Sequence, residues 1–237
     1  MPARLTTSLT AVAQTPALVR EFSHVTDERP LRERTPFPGS IPERLRAQRT
    51  FLIEVEKLKT VLRQSPLTAA DRRENDAEHS WHLAMMLVLA EYSDEPVDVA
   101  HTIQLVVVHD LIEIYAGDTP LDDTEAHLGQ DERERAAADH LFPLLPADQS
   151  AHFRALWDEF EQRRSPEARF AKTMDRLQPF LLNWMTRDRT WQAAGASADD
   201  VRKRNESVIG EASASLWEAT EKMIDEAQRQ GWLQPGT

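Results

Sequence analysis

One histidine and three carboxylates crowd one short stretch of the chain, His109-Asp110-Leu111-Ile112-Glu113-Ile114-Tyr115-Ala116-Gly117-Asp118. On a helix His109 and Glu113 stand at i and i+4, and Asp110 and Glu113 at i and i+3, so the three side chains project as neighbours. Gly117 is a natural helix terminator and Thr119-Pro120 keeps the helix from resuming, which leaves Asp118 on a tight turn just past the end. An amphipathic helix with solvated acids and a capping turn would contain the same residues. It does not explain the preceding Leu105-Val106-Val107-Val108, apolar on every side, which carries His109 and Asp110 toward a buried position where unpaired charge is costly. A bound cation offsets that cost.

One His-Asp pair cannot fill a coordination sphere, so other ligands must come from neighbouring helices. His79, in Glu78-His79-Ser80-Trp81-His82, and Asp175, in Lys172-Thr173-Met174-Asp175-Arg176-Leu177, are candidates, each polar among core-type neighbours. Singly, such a residue is more often a hydrogen-bonded core group than a ligand. Together with His109 and Asp110 they make a His, His-Asp, Asp set. The chain has no cysteine, so any ligands are His, Asp and Glu, a set suited to Mn, Fe, Co, Zn or Mg. His82, His101, His127, His140 and His152 are scattered, and the surroundings of His127 and His140 read as exposed helix or loop, which favours one metal over two.

The elements that must position this set all read as helices. Apolar residues recur at helical spacing from Ile41 to about Arg63, through Leu45, Leu52, Val55, Leu58 and Leu62. A second helix is expected from Asp76 to Tyr92, opened by Asn75 with Glu78 three residues on, and its body is apolar nearly all round, as for a helix in the middle of a bundle. A third runs from Pro96 to Tyr115 and ends in the cluster. A fourth closes at Ala136–Leu145, and a fifth spans Asp148 to Arg164. Ser165-Pro166 reads as N-cap and N1 of a helix reaching Met185, which should bend near Asp175 because Pro179 removes a backbone hydrogen bond. One or two more follow from Asp199 to about Arg229. Trp81, Trp157 and Trp184 sit among apolar residues and are expected in the core. No alternating strand pattern of useful length appears, so the fold class is all-α: a single-domain helical bundle over residues 41-230, preceded by a poorly ordered arm, 1-40, and followed by a tail, 231-237.

The balance of 28 Lys+Arg against 40 Asp+Glu, a formal net charge of -12, argues against a nucleic-acid polymer as partner. It would also repel a small anion unless a cation or arginine reversed the sign inside a pocket. No apolar run is expected to reach the roughly 18 residues that span a bilayer.

The segments Arg72-Arg73-Glu74-Asn75-Asp76-Ala77-Glu78-His79-Ser80-Trp81, His109 to Pro120 and Ala171-Lys172-Thr173-Met174-Asp175, in this order and spacing, resemble the HD-domain metal-dependent phosphohydrolases, most nearly the branch of the 5′-deoxynucleotidases. The likeness runs from about Leu52 to Trp191. It implies that His79, His109, Asp110 and Asp175 hold one divalent metal ion, that Glu113 and Asp118 are catalytic, and that the protein is a homodimer. The chemistry so implied is a phosphomonoesterase of the cytoplasm, acting on a nucleoside 5′-monophosphate or similar small phosphate ester, with a water activated by the metal attacking phosphorus. Arg63 and Arg72 are the candidates for holding the phosphate, although Arg63 equally reads as a solvated helix-end arginine. The branch has an Arg-Trp pair before the proline where this chain has Gln64-Ser65-Pro66. Pyrophospho- or triphosphohydrolysis, oxygenase chemistry at a dinuclear iron site, and nucleotide sensing without turnover are the alternatives on the same fold.

Overall fold

Asn75 starts the helix that carries the first candidate ligand, and it does so by a reciprocal cap. Its side-chain oxygen accepts from the Glu78 backbone N–H at 3.0 Å while Glu78 Oε2 accepts from the Asn75 N–H at 3.2 Å. The computed structural model describes residues 40–118, 128–187, 191 and 195–235. The expected arm, together with Thr119, Pro120 and His127, lies outside the described residues, apart from Ser40.

Helix α1 spans Glu43–Val55 and tightens into a 3-10 segment, Glu56–Thr60. The helix expected to continue to Arg63 stops there, because the chain turns extended and forms a hairpin. Strand β1, Leu62–Pro66, pairs antiparallel with β2, Arg73–Asn75. The expectation of no strand fails at this hairpin, whose short polar strands carry no alternation of apolar residues to reveal them. Leu52 is 65% exposed and Leu62 half exposed, so the core of this region rests on Phe51 and Leu58 instead.

Helix α2, Asp76–Met86, follows at once and relaxes into a 3-10 segment over Leu87–Tyr92. Only one side of it is buried, through His79, Ser80, Leu83 and Met86. Trp81 is 64% exposed and Val88 79% exposed, so α2 flanks the bundle and Trp81 is not a core residue. The third expected helix comes in three parts: α3, Val99–Val108, a 3-10 turn, His109–Ile112, and α4, Glu113–Ala116. By length and composition Val99–Ala116 does reach what a bilayer span requires. Here it serves as a core helix with His109 and Asp110 turned inward.

The remaining elements are α5, Gln130–Leu141; α6, Ala147–Gln162; α7, Pro166–Met185; α8, Ala198–Ala212; and α9, Ala214–Arg229. Ser165 caps α7 as expected, accepting from the Ala168 N–H at 3.1 Å, with Pro166 in the first turn. Helix α7 is the axis: it packs on α2, α3, α6, α8 and β1, while α8 leans on α9. Leu83, Leu105, Phe160, Phe170, Met174 and Ile209 fill the space between them and are fully buried. Residues 231–234, expected in the tail, belong to the fold, since Leu233 is buried and Gln234 exchanges backbone hydrogen bonds with Ala196 and Ala198.

Since the cap at Asn75 joins the hairpin to α2, Asn75→Ala should cost about 1 kcal/mol of stability. Urea denaturation with an unchanged slope checks it, and a loss near zero would mean that packing alone sets the start of α2.

Candidate metal centre and cavity

α2, the 3-10 turn that follows α3, and α7 each bring one part of the candidate ligand set to the same point. His79, fully buried, faces α7 and places Nε2 3.1 Å from Asp175 Oδ1 and 3.8 Å from Asp110 Oδ2. His109 Nε2 lies 2.9 Å from Asp110 Oδ1 and 3.8 Å from Asp175 Oδ1. Ligand atoms of His79, His109 and Asp110 all fall within 4.8 Å of one another.

The hydrogen bonds behind the two imidazoles decide which nitrogen each presents. Gln178 Nε2 donates to Glu74 Oε1 at 2.7 Å, so its Oε1 is the acceptor that meets His79 Nδ1–H at 3.1 Å. His109 Nδ1–H donates to the Val106 carbonyl at 2.9 Å. Both rings therefore turn a bare Nε2 toward carboxylate oxygens, and His109 Nε2 is buried without a hydrogen-bond partner. Lone pair against carboxylate is repulsive unless a cation lies between them, and imidazoles held from behind in this way are characteristic of metal ligands. The residues fit a divalent ion.

Electrostatics carry the same demand. Burial disfavours charge on His109, but Asp110 beside it outweighs burial and lifts the imidazole to about 9, so positive charge is favoured at this point. Burial likewise opposes ionisation of Asp175, yet Lys172, 3.3 Å from its Oδ2, and the two histidines hold it well below the usual carboxylate range. Lys172 also sits over the Phe160 ring, whose other contact is His109.

Arg63 points inward from β1 and donates from Nη1 to Asp110 Oδ2 at 2.9 Å and to Asp76 Oδ1 at 3.3 Å. It is part of the site, and the helix-end reading is set aside. Arg72 is not brought there. The hairpin turn leaves it exposed, paired with Glu78 through Nη1 to Oε2 at 2.8 Å, on the outer side of α2. Glu113, one turn past His109, groups with Asp76 and Asp110 within 4.8 Å, and burial and then the Asp110 charge push its carboxyl far up. Asp118 sits just beyond Gly117, whose φ of 76° ends α4, and burial raises its carboxyl against the pull of Arg63.

These residues form one wall of a cavity of about 340 Å³, lined by Arg63, Asp110, Glu113, Asp118, Lys172 and Asp175 among others. That volume suits a small ligand. Sequence reasoning passed over Asp76, Glu74 and Gln178; a fully buried acid in the first turn of α2 looks like ordinary dipole pairing until the fold sets it against Arg63. The spare histidines among the described residues have other neighbours: His140 stacks edge-on to Tyr115, His101 meets Glu159 at 2.9 Å, and His82 Nδ1 lies 3.2 Å from Gln178 Nε2.

A family profile described as HD domain matches residues 55–217. The chain belongs to the HD-domain family. Among HD-domain relatives, the 5′-deoxynucleotidase HDDC2 of Xenopus laevis is 30% identical over 135 residues, 55% of this chain and 66% of that protein. The human 5′-deoxynucleotidase HDDC2 is 30% identical over 132 residues, 55% of this chain and 64% of that one. The match thus spans just under two thirds of these curated relatives. A crystal structure named a "Predicted metal-dependent phosphohydrolase" from Magnetospirillum magnetotacticum MS-1 is 47% identical, with TM-score 0.76, covering 84% of this chain and 99% of that one. A protein of Pyrococcus horikoshii OT3, 22% identical with TM-score 0.53 over 73% of this chain and 98% of its own, shares the fold.

Two outcomes follow from the geometry behind the histidines. Gln178→Leu should weaken metal affinity by about 10–100-fold, read by titrating Mn into the metal-free protein, because His79 loses the partner that fixes its tautomer. Glu74, chiefly by burial, is pushed from 4.5 to about 7. A carboxyl raised on folding supports the fold fully below its unfolded value and loses that support as pH climbs through the folded one. In chelator, the melting temperature should therefore fall between roughly pH 5 and pH 8, and less steeply in Glu74→Gln; an equal slope in both proteins contradicts this assignment.

Proposed function

We propose that the protein is a single-metal phosphohydrolase that releases phosphate from a nucleoside 5′-monophosphate or a similar small phosphate ester. The observation that carries the reading is the pair of buried imidazoles, each offering a bare Nε2 to Asp110 and Asp175 on the wall of an open cavity that also contains an arginine. A divalent ion held by His79, His109, Asp110 and Asp175 would supply positive charge and Lewis acidity, acidifying water and neutralising phosphoryl oxygen. The relatives named 5′-deoxynucleotidase and the bacterial structure named a phosphohydrolase support the same chemistry.

The chain's own side chains have separable work. Arg63 uses one nitrogen on Asp110 and Asp76, and the rest of its planar fork matches phosphoryl oxygens. Glu113 stands outside the imidazole–carboxylate set on the cavity wall; burial and the Asp110 charge raise it, and with a cation offsetting that charge it would ionise and accept the proton of the attacking water. Asp118, half-buried and raised by burial, keeps a proton more readily than a solvated aspartate and gives it to the departing ester oxygen. Lys172 and Phe160 hold Asp175 and His109 in place and keep bulk water from that side.

Phosphate release from deoxy- and ribonucleoside monophosphates, measured on protein supplied with Mn or Co, tests the reading. Glu113→Ala should lower kcat by about 10²–10⁴-fold with metal content unchanged. Absence of release from any nucleotide or sugar phosphate with any divalent metal overturns it.

A further inference from the structure

The cavity has a second cationic wall that the chemistry above does not use. Arg176 lies one residue past Asp175 on α7, so its side chain leaves the helix about 100° away from that carboxylate. It lines the cavity together with Arg204 of α8. Three arginines elsewhere sit on acids: Arg63 on Asp110 at 2.9 Å, Arg154 on Asp158 at 3.0 Å, Arg202 on Asp199 at 3.2 Å. Arg176 makes no hydrogen bond or ion pair among the described residues. It is partly withdrawn from solvent, with attraction from Asp175 set against repulsion from Arg163 and Arg204. Asp175 is already engaged by Lys172 and His79. A desolvated cation with two cations for neighbours is costly, and it stands out in a chain of net charge -12. Asn183, i+7 from Arg176 on the same face of α7, also lines the cavity and has a buried Oδ1 without a partner, ready to accept from a hydroxyl or N–H.

We propose that Arg176 and Arg204 form a second anion subsite in this cavity, and that the preferred substrate is a nucleotide carrying two separate phosphates, one cleaved at the metal centre and one held by these arginines. The identity of the ester rests on the phosphohydrolase reading; the subsite does not. Hydrolysis is otherwise unchanged: water oxygen joins phosphorus, the bond from phosphorus to the sugar oxygen breaks, the water's proton ends on that oxygen, and the second phosphate stays on the product.

The test compares adenosine 3′,5′-bisphosphate with adenosine 5′-monophosphate on the full chain. The bisphosphate should show kcat/KM about 10-fold higher, through KM, as expected for one charge-assisted contact with arginine. Arg176→Gln should abolish that preference and leave kcat on the monophosphate within about 2-fold, with Arg204→Gln acting in the same direction. Equal losses on both nucleotides in Arg176→Gln would place Arg176 on the cleaved phosphate and overturn the subsite. Calorimetric binding in chelator separates the two readings. If neither nucleotide is hydrolysed, the phosphohydrolase reading fails, while about 10-fold weaker bisphosphate binding in Arg176→Gln, with monophosphate binding unaltered, still supports the subsite. The melting temperature of Arg176→Gln should equal or exceed that of the parent, because an unpaired charge is removed. A fall of several degrees would make Arg176 structural and overturn the proposal.

Discussion

The carboxylates of Asp110, Glu113, Asp118 and Asp175 converge on one wall of one cavity, with Asp76 buried beside Arg63, and Arg63 and Lys172 are cations set directly against them. Each buried, unpaired charge costs several kcal/mol, so the arrangement must be balanced by protons, ion pairs or a bound cation. The first two are visible. Glu113 and Asp76 are raised by burial and then by the charge of Asp110, Asp110 and Asp175 stay ionised against their cations, and, against burial, Asp110 lifts His109.

Much of the scaffold is the consequence of holding that imbalance together. The hairpin exists to reach inward: β1 carries Arg63 to Asp110, and the Asp76 N–H closes on the Val61 carbonyl at 3.2 Å. The switch from α3 to a 3-10 turn at His109 places the His-Asp pair where one histidine nitrogen meets the Val106 carbonyl and the other is left bare. On α7, residues a helical turn apart act in succession, with Lys172 steadying Asp175 and Gln178 steadying His79. Gln178 in turn is fixed by Glu74 from β2, so hairpin and bundle are joined through the support of a single imidazole.

On the phosphohydrolase proposal, the centre would act on the ester and selectivity would lie in what surrounds it. The cavity wall changes character along α7, from the acidic end at Asp175 to Arg176 and then Asn183. A helix advances about 1.5 Å per residue, so this succession covers roughly the length of a nucleoside. Pro179 lies inside α7 without ending it and also lines the cavity.

Helix content, the capping box at Asn75, the Ser165-Pro166 start of α7 and the His79, His109-Asp110, Asp175 set were legible because each depends on residues near in sequence or on a recognisable order of motifs. Helical periodicity misled where α1 gives way to the hairpin, since polar strands as short as Arg73–Asn75 carry no pattern, and where α2 turned Trp81 to solvent. Asp76, Gln178 and Arg176 gained their significance only from the partners that folding set beside them or withheld. Which of Arg63 and Arg72 reaches the carboxylates was likewise a matter of tertiary structure. Local sequence determines which side chains can ligate, cap or carry a proton. Burial and the proximity of distant charges determine which of them do, because desolvation and Coulomb energy depend on position in space and not on order along the chain.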